Sequence, residues 1–191
     1  MKTHLKMVKA IALGTALSLL LIGCSSQTSS DAPMANVTRH QRVALPCPDF
    51  PEASYRQLLT FSYDGSSHSL IALLKLGKGR LSLSGLTPMQ VKLFDASFDG
   101  RKLEVRTQVP AASLPPAEQV VMDIMLAYGR GDGFKDSLKG FSFEGTKDAL
   151  LIRDKSGKAV YGIDYSGGLP VRIKNHEFGY SISIRYIGQA K

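Results

Sequence analysis

Cys24 is the residue whose surroundings specify a chemistry. It follows Leu21-Ile22-Gly23 at the end of a thirteen-residue run, Ala10–Ile22, in which only Thr15 and Ser18 are polar. Ahead of that run lie Lys2, Lys6 and Lys9 with no acid. A basic stretch followed by a short apolar one is the layout of a secretory signal. The run falls short of the about 20 residues that a membrane-spanning helix needs. A thiol at its end can accept a diacylglyceryl group through a thioether. The small Gly23 before it leaves the peptide bond open to a peptidase. Cleavage there makes residues 1–23 a signal peptide and Cys24 the lipidated N-terminus.

Leu21-Ile22-Gly23-Cys24 resembles the bacterial lipobox, and Ser25 after it resembles the outer-membrane sorting signal. The resemblance implies a lipid-anchored protein on the periplasmic face of the outer membrane of a Gram-negative bacterium. Its partners would then include the membrane, reached through the anchor, and the lipoprotein sorting machinery. The signal also carries three positive charges, so its loss lowers the net charge of +8 to a mild value. No run of Lys or Arg marks a nucleic-acid stripe.

The other reactive side chains form no recognisable constellation. Cys47, in Leu45-Pro46-Cys47-Pro48, has no adjacent base and reads as a structural thiol. Of the four histidines, none pairs with another at metal-ligand spacing, so no metal and no cofactor is expected. His68 and His176 fall near turns and read as solvent-exposed. Gly129-Arg130-Gly131-Asp132-Gly133 follows an apolar helical pattern and lacks the Lys-Ser/Thr of a phosphate loop, so it reads as a helix stop and a flexible loop. With no nucleophile elbow and no placed acid pair, the residues favour a binding protein over an enzyme.

Those side chains must be held by a fold made mainly of strands. Residues 24–42, rich in Ser, Thr, Asn and Ala, read as a lipidated flexible tether. The domain is expected over residues 43–191. Leu59, Phe61 and Tyr63 share one strand face, with Asp64-Gly65 as a turn. Leu70–Leu76 is apolar on both faces, the pattern of a strand covered on both sides. Leu81 and Leu83, Val91 and Leu93, and Leu103 and Val105 alternate with polar neighbours. So do Phe141 and Phe143, Tyr161, Ile163 and Tyr165, and Val171 and Ile173. Tyr180, Ile182, Ile184 and Tyr186 form the cleanest face. Between the two sets, Ala117, Val120, Val121, Ile124, Met125 and Tyr128 recur at helix spacing, with Pro116 before them and Gly129 after.

The pattern therefore predicts a mainly β (α+β) fold, a curved antiparallel half-barrel of about ten strands with a mid-chain apolar helix in its concave face. A broad helix face and a wide curved sheet leave more apolar surface than they can bury on each other. That excess predicts an apolar cavity lined by Val121, Met125 and Tyr128 from the helix and by Leu59, Phe61, Ile182 and Ile184 from the sheet. Leu86 and Met89, in the Leu86-Thr87-Pro88-Met89 loop, are placed to meet a membrane or a client.

The lipobox, the meander, the stretch Gln119–Tyr128, Leu138 and the closing strands Val171–Ile173 and Tyr180–Ile184 together resemble the LolA/LolB superfamily of lipoprotein carriers. Within it they resemble LolB-like lipoproteins, often encoded in aryl-polyene gene clusters of Gram-negative bacteria. The resemblance covers roughly Tyr55 to Ile187. It implies an open half-barrel that holds a lipid-like ligand, either the acyl chains of a lipoprotein client or a polyene lipid. A structural or assembly lipoprotein without a ligand is the alternative, and a lipid or cell-wall hydrolase the more remote one.

Overall fold

The computed structural model describes residues 25–28, 32–110 and 115–189. Cys24 and residues 1–23, the expected signal peptide, lie outside them. Among the described residues there are thirteen strands and one α-helix. The strands are β1 (Ser25–Thr28), β2 (Met34–Thr38), β3 (Gln41–Ala44), β4 (Ala53–Tyr63), β5 (Ser66–Gly77), β6 (Arg80–Leu86), β7 (Lys92–Phe98) and β8 (Leu103–Thr107). Helix α1 (Ala117–Tyr128) follows, then β9 (Ser142–Gly145), β10 (Ala149–Arg153), β11 (Ala159–Ser166), β12 (Leu169–Asn175) and β13 (Tyr180–Gln189).

Eleven strands form one antiparallel sheet in the order β1-β8-β7-β6-β5-β4-β13-β12-β11-β10-β9, open at both edges. The meander is double. Strands β4–β8 run out to one side and β9–β13 return from the other, and the two halves join where β4 pairs with β13. The connection from β8 to β9 must therefore pass from one edge of the sheet to the other. It does so across the apolar face, and α1 is that crossing.

Helix α1 has the bounds its sequence predicts. Pro116 O accepts from Gln119 N and Val120 N at 3.0 and 3.2 Å, and Gly129 N donates to Met125 O at 3.0 Å. Gly131, at φ 78°, turns the chain out of the helix and donates to Leu126 O. Val121, Met122, Met125, Leu126 and Ala127 are all buried, so the helix is covered over most of its girth. It meets the Tyr180–Tyr186 strand through side-chain hydrogen bonds at Asp123 in its middle and Tyr128 at its end.

Three expectations change. Most of the stretch read as a flexible tether belongs to the fold. Ser25–Thr28 extends the sheet beside β8, and β2 and β3 make a hairpin whose Ala35, Val37 and Val43 are buried with the helix in one core. Apolar residues at every second position, diluted by Asn, Thr and Arg, bury one face while leaving the composition polar. The β2–β3 turn is also tied down, since Glu177 accepts from Arg39 N and pairs with Lys158 at 2.7 Å. Second, β5 is covered on its inner side and only in part on its outer side, where Ile71 is buried. Leu74 and Leu76 are buried but Leu73 is 38% exposed on the outer face. Third, the apolar face of β7 is Phe94, Ala96 and Phe98. A register shift at Gly85/Leu86 leaves Val91 outside the strand and exposed.

Candidate functional site

The inner face of the sheet grades from a packed core to a half-open apolar surface. The packed part lies against the hairpin and one side of the helix. Leu74, Leu81, Met122, Leu126, Phe98 and Ile152 are essentially inaccessible there. The half-open part comprises Leu59, Leu70, Phe94, Val105, Val120, Ile124 and Ile182, each packed against the core but not enclosed by it.

Pairing across β4 and β13 builds the floor of this surface. Phe61 stands opposite Ile182, Leu59 opposite Ile184, and Gln57 opposite Tyr186. Leu70 extends the Leu59 row into β5. The helix supplies the wall. Val120, Ile124 and Tyr128 share one stripe by their spacing of four. Tyr128 fixes that stripe over the β4–β13 pair, because its ring lies 5.3 Å from that of Tyr55 and its hydroxyl is 3.0 Å from the Tyr186 hydroxyl. Gln57 Nε2 donates to the same Tyr128 oxygen, and Tyr186 Oη donates to Pro170 O at 3.0 Å. The result is a polar knot at the C-terminal end of the stripe. Desolvation raises the Tyr128 phenol far above its usual range, so it is a neutral hydrogen-bonding group at any working pH.

A second polar knot lies deeper, around Asp123. Asp123 is 3% exposed. It accepts from Tyr161 Oη at 2.9 Å and from Tyr180 Oη at 2.7 Å, while Gln119 Nε2 donates to Tyr161 Oη at 2.7 Å. Desolvation raises the Asp123 carboxyl to about 6, against the lowering effect of those donors. Asp123, Tyr161, Tyr180 and Gln119 all have partners within it, so the network fixes the helix rotation on β11 and β13. At the helix end, Arg130 donates to Thr146 O and Lys147 O at 2.9 and 2.8 Å and sits 3.9 Å over the Tyr165 ring. The glycine-rich segment read as a flexible loop is thus pinned to the β9–β10 turn.

The seven residues expected to line a cavity divide. Leu59, Phe61, Ile182 and Ile184 come together on the floor, with Ile184 the most buried of them at 8%. Tyr128 stands at the end of the wall. Val121, at 1% exposure, and Met125, at 4%, point into packed core and line none of this surface. Met125 and Tyr128 instead border a separate cleft of about 520 Å³ behind the helix terminus, with Cys47, Phe50 and Arg130. The helix residues that sequence reasoning passed over for the wall are Val120 and Ile124. Both belong to the same amphipathic pattern, and only the position of the hairpin decides which stripe is left half-open. Leu86 is half-buried, while Met89 is 89% and Val91 60% exposed in the β6–β7 loop. Thr87 shapes that loop, donating from its N to Val91 O and accepting from Val91 N and Gln90 N.

Among the described residues no helix is long and apolar enough to cross a membrane, and no group of His, Cys, Asp and Glu could hold a metal ion. The chain belongs to the family described as protein of unknown function DUF3261, whose model matches residues 54–188. That match runs from the start of β4 almost to the end of β13 and leaves the β2–β3 hairpin outside it. A comparison with curated proteins gives no match.

Proposed function

We propose that this chain is an outer-membrane lipoprotein that binds a lipid-like ligand, either the acyl chains of a lipoprotein client or a polyene lipid, on the inner face of its open sheet. The observation that carries the reading is the half-open apolar surface between the Val120–Ile124 stripe and the Leu59, Leu70 and Ile182 floor. A monomeric domain gains by closing such a surface, about 25 cal/mol for each Å² removed from water. An acyl chain or polyene supplies the missing cover without asking for hydrogen bonds, and the floor offers none. The polar knots at Tyr128 and Asp123 hold the helix at a fixed height, so the surface does not collapse when unoccupied. LolA/LolB-like carriers would use such a half-barrel in the same way.

The test uses the full chain purified from membranes, with bound lipid read by native mass spectrometry and extraction. Co-purified lipid, displaced when Ile182 or Ile124 is enlarged to Trp with the fold intact, supports the carrier reading. A well-folded protein that retains no lipid and takes up no fluorescent fatty acid leaves the structural or assembly role.

A further inference from the structure

The outer face of the sheet, the reverse of the apolar surface just described, carries a charge pattern of its own. Residues that alternate with Leu59, Phe61, Ile182 and Ile184 point outward, as do the residues directly opposite them on neighbouring strands. Lys174, Ser181, Ser62 and Ser67 form one outward row across β12, β13, β4 and β5, and Arg172, Ser183, Thr60 and Ser69 the next. Below them Arg185, Leu58, Ile71 and Leu86 form a row across β13, β4, β5 and β6. Arg56, Leu73 and Ser84 follow, then Ser54, Lys75 and Ser82.

Each of these rows holds one cation and no acid. Lys174, Arg172, Arg185, Arg56 and Lys75 step diagonally from β12 to β5, in rows about 7 Å apart. None of them makes an ion pair among the described residues. Acids stand only at the rim. Asp164 lies opposite Arg172 on β11, and Glu52 lies against Gly77 at the lower end of β5. Asp95 lies opposite Ser84 on β7, where Ser84 and Lys92 already hold it. Lys174, Arg172, Arg185 and Lys75 are exposed. Arg56 is half-buried, and its Nε is inaccessible and without a hydrogen-bond partner, so packing and not an acid holds it on the face. Apolar groups are exposed among the charges. Leu73, opposite Arg56, and Ile187, in the β13 bulge on its other side, are each 38% exposed. The Leu58–Ile71–Leu86 row also runs on into the β6–β7 loop, where Met89 and Val91 are exposed.

We propose that this outer face docks on the headgroup layer of an anionic phospholipid bilayer. The cations are spread over four strands and converge on no point, so a single small anion cannot engage them together. Lipid phosphates are spread over a surface in the same way. The Ser and Thr hydroxyls between the cations add donors for phosphate oxygens. Leu73 and Ile187 favour a bilayer over a soluble polyanion, which would leave both in water. The membrane interface takes up apolar side chains that stand beside Lys and Arg. The continuation of the apolar row into the Met89 and Val91 loop extends the same kind of surface to the edge of the sheet. The face is the reverse of the surface proposed to bind a lipid-like ligand, and its test does not depend on that reading.

The experiment places a polarity-sensitive dye at Ser183→Cys, between Arg172 and Thr60 on this face, in a Cys47→Ser background. The full chain is reconstituted with vesicles of phosphatidylcholine alone, or of phosphatidylcholine with phosphatidylglycerol. On the anionic vesicles the emission should shift to the blue and be quenched by headgroup spin-labelled lipid. On the neutral ones it should stay water-like. The shift should vanish at about 1 M salt, where the Debye length falls to about 3 Å. Arg185→Gln and Lys75→Gln should each weaken the contact roughly fivefold, read from the balance of shifted and unshifted emission. Leu73→Ser should weaken it too. All three side chains are exposed, so the variants keep the fold, which circular dichroism checks. The same emission on both kinds of vesicle, or a shift that survives high salt, would overturn the proposal. So would soluble inorganic polyphosphate that displaces the vesicles while Leu73→Ser docks as well as the wild type, which would make the face a polyanion site.

Discussion

Asp123 is the one buried carboxylate among the described residues, and its protonation is linked to folding. Its folded pKa of about 6 lies above the ordinary 3.8, because burial disfavours the charge more than its donors favour it. Between those two values the unfolded chain has released the proton and the folded one has kept it. Stability from this group is thus greatest below pH 4 and falls as pH rises through 6, by about 3 kcal/mol in all. Asp123→Asn should remove that slope. Thermal melts of both proteins at pH 4.5, 5.5 and 7 should converge towards acid and separate towards neutrality, with the wild type losing relative ground. The acids held below their ordinary range, such as Glu177 beside Lys158 and Arg39, act at lower pH and are common to both proteins. Asp123→Ala is a harsher change. It leaves the Tyr161 and Tyr180 hydroxyls without acceptors, at about 1–3 kcal/mol for each buried group. If the Asn variant kept the wild-type slope, another group would be responsible for it.

At the level of elements, the helix and the hairpin carry opposite lessons. Pro116, Gly129 and a clean period of 3.6 make α1 legible to the residue, and alternation locates β4, β6, β8, β9 and β11–β13. The β2–β3 hairpin was hidden because four short apolar residues, Ala35, Val37, Val43 and Leu45, sit among polar ones in a segment too brief for periodicity to rise above composition. It then concealed which helix stripe is enclosed. The seven cavity candidates rest on pattern alone, and pattern cannot distinguish Val121 from Val120. Two substitutions separate the stripes. Leu126→Ala, at 0% exposure, should cost about 2–5 kcal/mol. Ile124→Ser, on the half-open stripe, should cost clearly less and instead reduce lipid retention. Val37→Ser tests the hairpin. With Val37 at 0% exposure the loss should be about 2 kcal/mol in chemical denaturation, from burial of the apolar side chain. A flexible tether would show no change at all.

The molecule as a whole has two distinguishable ends. Ser25 pairs with Thr107, and Thr107 with Phe94, so the chain enters the sheet beside the upper ends of β7 and β8. The β6–β7 loop bearing Met89 and Val91 projects from that same end. The β9–β10 turn around Lys147, to which Arg130 is tied, lies at the other. If Cys24 carries acyl chains, the residue joined to it is already part of the sheet. The anchor then holds this end close to the bilayer instead of on a long leash. Met89 and Val91 would be pressed towards the lipid, where they add a protein contact to that of the anchor's acyl chains. A dye sensitive to polarity reports this directly. It is attached at Met89→Cys or at Lys147→Cys, both in a Cys47→Ser background so that the exposed native thiol does not react. On lipid vesicles the lipidated protein labelled at 89 should show blue-shifted emission and quenching by spin-labelled lipid. The protein labelled at 147 should remain water-like. Equal, water-like emission from both would mean that the anchor does not bring the loop to the membrane, and that Met89 and Val91 await a client instead.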